Sequence, residues 1–174
     1  MATFRNQSWL VRVSLLAVSA GLVTSGVIST PMASAAESAA LSSMEKRAFD
    51  NINTQRAEKG CAALVVDPNL QQAAHDYAVE MVRTGNFSHT SATGQSPTDR
   101  AKAAGYKGGV GENIAMGFRD DPNGVVNNGT YGWMNSAGHR ANILNCNYTR
   151  TGMGYDSGNI DPAYADGSWV QVFG

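Results

Sequence analysis

The sequence predicts an α+β protein, built as a three-layer α-β-α sandwich around a small, mostly antiparallel sheet. Three observations predict it. Capped helical segments fill the chain from residue 43 to about residue 104. Strand-like runs bounded by Gly, Asp, Asn and Pro dominate the second half. Helices flanking so small a sheet make a three-layer arrangement.

The elements follow in order. Ser42-x-x-Glu45 is a capping box, in which a hydroxyl and a carboxylate satisfy exposed amides at a helix start. That helix is expected from about Ser43 to Glu58, with Met44, Ala48, Phe49, Ile52 and Gln55 on one side and Gly60 as its stop. Asp67-Pro68 opens a second helix, Asp as N-cap and Pro in the first turn. Its apolar set, Leu70, Ala73, Ala74, Tyr77, Ala78, Met81 and Val82, is the strongest periodic signal in the chain, and Gly85 ends it. Ser96-Pro97 starts a short third helix through about Ala104, closed by Gly105.

Val110 to Met116, Gly152 to Tyr155 and Ser168 to Phe173 read as strands, the last two joined by a turn-rich connection from Asp156 to Gly167. Pro122 to Ser136 is expected to be a helix with Val125, Val126, Trp133 and Met134 facing the core. Gly124, Gly129 and Gly132 weaken it, by about 1 kcal/mol each relative to Ala.

The 174 residues suit one domain behind a processing segment. Residues 1–35 read as a secretory signal peptide: Arg5 and Arg12 give a positive start, an interrupted apolar stretch follows from Val13, and Ala33-Ser34-Ala35 is a small-residue cleavage site. An uncleaved membrane anchor is the alternative, and it asks for a longer unbroken apolar run. Residues 36–43 read as a flexible leader and 44–174 as the folded domain. The expected localisation is therefore secreted, the mature chain not spanning a membrane. Lys+Arg number 13 and Asp+Glu 14, so no basic excess points to nucleic acid. Export makes the two cysteines informative: one disulfide between Cys61 and Cys146 is their simplest use in an oxidising compartment, ahead of a catalytic thiol.

Three segments carry the residue types suited to metal or proton chemistry: Asn86-Phe87-Ser88-His89-Thr90, Gly111-Glu112-Asn113 and Trp133-Met134-Asn135-Ser136-Ala137-Gly138-His139. Each is embedded in Gly, Ser or Asn, a context of loops and element ends where functional groups concentrate. In order and surroundings they resemble the CAP superfamily of SCP-like domains, in particular its short bacterial branch. That resemblance implies the α-β-α sandwich and a central cleft of two histidines and two glutamates. His89 takes the first histidine place, Glu112 the first glutamate place and His139 the second histidine place. Ser136 stands where the second glutamate is expected, which weakens any mechanism needing two carboxylates.

His89 and His139 are thus the candidate metal ligands, for a weak and exchangeable Zn2+, with Glu112 either a third ligand or a hydrogen-bond partner behind one histidine. Without the resemblance, two histidines bracing a cleft is the simpler reading. Ser136-x-x-His139 suggests a nucleophile and base, although Gly138 is expected to break the helix between them and Ser136 reads first as a cap or loop hydrogen-bonder. His75 reads as a solvated flank residue, and Asn113 and Asn142 as hydrogen-bonders to loop backbone. The resemblance implies a secreted, non-catalytic binding module for a lipid, sterol or cell-envelope component, and a monomer is expected. The alternative is a secreted hydrolase, a peptidase using metal-activated water or Ser136, with Glu112 as base.

Overall fold

The computed structural model describes residues 40–174. The signal-peptide reading and most of the leader lie outside the described residues. Helix α1 runs Ser43–Lys59, strand β1 Val65–Val66, α2 Pro68–Thr84, α3 Pro97–Ala103, β2 Gly111–Met116, α4 Pro122–Asn127, α5 Ala137–Ile143, β3 Arg150–Asp156 and β4 Ser168–Phe173. A single 3-10 turn, Trp133–Asn135, lies between α4 and α5. Among the described residues, no helix is long and apolar enough to cross a membrane.

The predicted caps form where the sequence places them. Ser42 and Glu45 close a capping box, Asp67 caps α2 by accepting from the amides of Asn69 and Leu70, and Ser96 and Asp99 close a second box on α3. Such side-chain caps contribute about 1 kcal/mol each. Gly60 and Gly85 end α1 and α2 in the left-handed region, at φ 83° and 67°.

The sheet order is β1-β3-β4-β2. β3 pairs antiparallel with β4, β4 antiparallel with β2, and β1 parallel with β3. Alternation along the strands then builds the two cores. Ile114, Val170 and Val172 face α2 and α3, meeting Leu70, Ala74, Tyr77 and Ala101. Ala115, Met153, Trp169 and Phe173 face the other way, meeting Ala48 and Ile52 of α1, Val125 and Val126 of α4, Trp133 and Ile143. Helices therefore cover both faces, and the three-layer sandwich is the observed architecture.

Strand β1 was not expected, and it covers only the first two residues of β3. Beyond it, the outward amides of Met153 and Tyr155 are taken by Gln71 Oε1 at 2.8 Å and Glu45 Oε1 at 3.1 Å. Both side chains are buried, and each closes part of an otherwise open sheet edge.

Two expectations are corrected. The helix expected from Pro122 to Ser136 stops at Asn127. The Asn128 Oδ1 accepts from the amides of Thr130 and Tyr131, at 2.9 and 3.0 Å, and this local turn competes successfully with helix. Gly138 does not break the chain either. It sits in the first turn of α5, and among the described residues nothing outside its own helical turn comes within 4 Å of where a Cβ would stand.

Cys61 and Cys146 form the expected disulfide, Cα to Cα 5.0 Å. The fully buried Arg56 braces the same region. Its guanidinium donates to the carbonyls of Ala62, Ile143, Asn145 and Tyr148, so a charge that reads as solvated in the helix pattern ties α1 to both cysteine loops.

Candidate functional site

His89 stands in the loop after α2, and that loop is held from beneath. The Tyr77 hydroxyl donates to the carbonyl of Ser88. The Arg100 guanidinium, from α3, lies 3.4 Å over the Tyr77 ring and donates to the carbonyls of His89 (3.1 Å) and Gln95 (2.9 Å). Its remaining arm reaches Glu112 Oε2 at 2.5 Å. Arg100 and Tyr77 were not singled out in the sequence as site residues. An arginine in a seven-residue helix looks like a surface charge, and only the fold brings it against β2.

Glu112 is a connector. Its side chain is 2% exposed and both oxygens are engaged, one by Arg100 and the other by His89 Nδ1 at 2.8 Å. This arrangement fixes the His89 ring with Nδ1 against the carboxylate, while the side chain stays 53% exposed. The hydrogen bond to Glu112 raises the His89 pKa above the usual histidine value, outweighing the opposing effect of burial.

His139 comes from the other side of the same strand. Asn113, next to Glu112 on β2, donates from Nδ2 to the His139 carbonyl at 3.1 Å. Asn142, further along α5, donates to both Asn113 Oδ1 and the Glu112 carbonyl, at 2.9 and 3.2 Å. Asn113 and Asn142 thus hydrogen-bond backbone, though of α5 and β2 and not of a loop as expected, and in doing so dock α5 on the edge of the sheet. Burial lowers the His139 pKa, and electrostatic repulsion from His89 lowers it further. Two histidines within electrostatic reach of each other are therefore pushed in opposite directions, His89 toward the cation and His139 toward the neutral ring.

Ser136 is the N-cap residue of α5, yet its side chain makes no capping hydrogen bond. Arg140 donates to the Met134 carbonyl at 3.0 Å. His75 is exposed on α2, as expected.

The donor set decides what metal the cleft could take. Among the described residues, no three His, Cys, Asp or Glu side chains are gathered to hold an ion. Glu112 is committed to Arg100 and His89. What remains is the Nε2 of His89 and the ring of His139. Such a pair suits a loosely held, exchangeable divalent ion with most positions left to other donors, not a closed structural site.

Beside His139 lies a groove of about 560 Å³ along the outer edge of β2. Ile114 to Phe118 and Trp133 form its floor, and Phe87, Tyr131 and Tyr164 stand on its rim. Trp133 Nε1 donates to the Ile114 carbonyl at 3.2 Å, which covers part of the free edge.

Comparison with known proteins agrees with this architecture. Residues 49–173 match the CAP family, described as the cysteine-rich secretory protein family. The chain is 39% identical over 136 residues to the uncharacterized protein YkwD of Bacillus subtilis, covering 76% of this chain and 48% of that one. It is 35% identical over 113 residues to the uncharacterized membrane protein YlbC of the same organism, covering 64% of this chain and 31% of that one. The chain thus spans about half the length of the first relative and about a third of the second. Among solved structures, an extracellular SCP-domain protein from Bacillus anthracis superposes with a TM-score of 0.60 at 29% identity, covering 75% of this chain and 39% of that one. An outer surface protein from Borrelia burgdorferi superposes with a TM-score of 0.63 at 24% identity, covering 75% of this chain and 91% of that one, a likeness of fold. With the family matched over most of its length and the sandwich and disulfide in place, this chain belongs to the CAP (SCP-like) family.

Proposed function

We propose that the chain is a secreted, non-catalytic binding module. Its cleft holds a lipid, sterol or cell-envelope component, with His89 and His139 sharing a weakly bound divalent ion such as Zn2+ at one end. One observation carries the reading: the groove on β2 is lined by His139, and its lining is otherwise largely apolar. Pockets of this size and lining bind small molecules through their walls and orient them through a few polar groups. The disulfide supports an exported, oxidised setting. Relatives described as extracellular and as an outer surface protein support the same location.

The test is calorimetry with Zn2+ on the mature chain, with His89→Ala and His139→Ala alongside. Binding in the parent protein, lost in both variants, is the expected result; equal binding in all three removes the metal from the proposal.

The hydrolase alternative draws on the opposed pKa shifts of His89 and His139, since separated acid and base groups are a mark of catalytic sites. Against it stands a Glu112 whose two oxygens are both occupied. Screening a peptide and ester library with and without Zn2+ separates the two. Turnover abolished by Ser136→Ala or Glu112→Ala would establish an enzyme in place of a binding module.

A further inference from the structure

We propose that the groove beside His139 binds an uncharged oligosaccharide strand, with Tyr131, Tyr164 and Phe87 as stacking platforms for its sugar rings. The inference rests on reading this cleft as a ligand site and names the class of ligand.

The aromatic rim has no packing explanation. Five large hydrophobic side chains are exposed among the described residues, and three of them, Tyr131 at 78%, Tyr164 at 57% and Phe87 at 39%, line this one groove. Exposure here is not looseness of the chain that carries them. The Asn128 side chain accepts from the amides of Thr130 and Tyr131, and Asn135 Nδ2 donates to the Thr130 carbonyl at 3.1 Å. On the facing loop, Asn159 Nδ2 donates to the Tyr164 carbonyl at 3.0 Å, and Asp161 accepts from the amides of Ala163 and Tyr164. The backbone that carries both tyrosines is therefore fixed by built turns, which reduces the ordering cost of binding. The floor is shaped at a cost as well: Phe118 adopts φ 59°, a left-handed conformation that bulky residues rarely take.

Charge and polarity select the ligand. Among the described residues, no Asp, Glu, Lys or Arg side chain lines the groove. Of the two cations adjoining the lining residues in sequence, Arg119 is paired with Asp166 at 2.8 Å and Arg140 donates to the Met134 carbonyl at 3.0 Å. Away from its histidine end, an anionic strand would meet no charged side chain along the groove wall. An alkyl chain would gain from the floor but would offer nothing to the phenol hydroxyls of Tyr131 and Tyr164. A pyranose ring matches both features. Its C–H face stacks on an aromatic ring, and the hydroxyls around its edge meet the phenol oxygens and the polar rim. An open groove lined by three exposed rings from three separate loops suits a strand passing through rather than a ligand enclosed.

The test uses a soluble chitin hexasaccharide, followed by calorimetry and by tryptophan fluorescence, since Trp133 lies in the floor. We expect binding that is insensitive to salt, because no charge pairing is involved. It should weaken roughly tenfold or more in Tyr131→Ala and in Tyr164→Ala, while Tyr131→Phe retains most of it. Val79→Ala, an exposed apolar residue off the groove, should bind as the parent does, and unchanged melting curves establish that the surface variants fold. Absence of hexasaccharide binding, or binding equal to the parent's in both tyrosine-to-alanine variants, overturns the proposal. Palmitate is run in parallel. Palmitate binding without hexasaccharide binding sinks the oligosaccharide and leaves the binding-module reading standing; binding of neither sinks both.

Discussion

Glu112 and Asn113 are neighbours on β2, point to opposite faces of the sheet, and each fixes one histidine. Glu112 holds the His89 ring through Nδ1 at 2.8 Å, and Asn113 holds the His139 backbone at 3.1 Å. A single peptide unit at the sheet edge therefore sets the relation between two residues that lie far apart in the chain. Neither histidine is placed by its own segment alone. The edge strand is the ruler, and Arg100 and Asn142 hold the two pieces against it.

Glu112→Gln tests the buried half of this arrangement. Gln keeps the shape and removes the charge, leaving the Arg100 guanidinium, 7% exposed, without its counter-ion. Breaking a buried pair from one side typically costs about 3–5 kcal/mol. Urea denaturation should report a loss in that range. Replacing both members by apolar residues of similar volume, Glu112→Leu with Arg100→Met, should recover part of it, because no uncompensated charge remains. A double variant as unstable as the single one would show that the hydrogen bonds to the His89 loop, not the ion pair, dominate.

The opposed histidines make a signed prediction about pH in the metal-free protein. His89 has a folded pKa above the usual value of 6.5, so the folded state holds more protons than the unfolded one as pH rises from about 6.5 to that raised value. Its contribution is full below 6.5 and is lost through that window. His139 has a folded pKa below 6.5, so its contribution is present above 6.5 and is lost as pH falls toward the lowered value. Together the pair should give a stability contribution that peaks near pH 6.5 and declines on both sides. Both rings are partly solvated, so the effect is modest. Comparing denaturation midpoints of the parent and a His89→Gln, His139→Gln double variant across this range reads it directly. NMR titration of the two rings should give values on opposite sides of 6.5, and two values on the same side would refute the opposition.

How far the sequence foretold this site depends on the range of each interaction. The helix ends at Ser42, Asp67, Ser96, Gly60 and Gly85 were legible because a cap is decided by residues two or three positions away. The roles of Asn113 and Asn142 were legible in kind, as hydrogen-bonders to backbone, but not their partners. Arg100 and Arg56 were not legible at all. Their meaning comes from carbonyls and a carboxylate brought in by the fold, up to 92 positions away for Arg56 and Tyr148. Between Pro122 and Ser136 the apolar spacing suggested one helix, while the Asn128 turn, a local signal of equal standing, decided otherwise. The match of His89, Glu112 and His139 to the family's pattern came from resemblance; their geometry came from β2.

Arg56 and the Cys61–Cys146 disulfide restrain the same two segments, so their effects should not add. The disulfide joins residues 85 positions apart, and removing it by Cys61→Ser with Cys146→Ser should cost about 2–5 kcal/mol. Arg56→Met leaves four backbone carbonyls short of a donor and should cost a comparable amount. If each holds the Ile143 to Tyr148 loop against α1, combining them should cost less than the sum, because a loop already released has little more to lose. A coupling of about 1 kcal/mol or more in the cycle supports this. Strict additivity would mean that the two act on separate parts of the structure.

Gly154 and Gly138 give a pair of substitutions with opposite signs. A Cβ on Gly154 would collide with the carbonyl carbon and oxygen of Ala74, in the backbone of α2. Backbone cannot swing aside as a side chain can, so Gly154→Ala must lift α2 from the sheet, and a loss of about 3 kcal/mol is expected. The displacement also bears on the site. Tyr77, one turn beyond Ala74, supports Ser88 and lies under Arg100, so moving it loosens the grip on His89. Gly138 is the contrary case, helical and open to solvent, with nothing among the described residues outside its own helical turn within 4 Å of the new methyl. Gly138→Ala should stabilise by about 0.4–1 kcal/mol, mainly by restricting the unfolded chain. Thermal melts of the two variants should move in opposite directions. Only Gly154→Ala should shift the His89 ring resonance, since its effect reaches the site through α2.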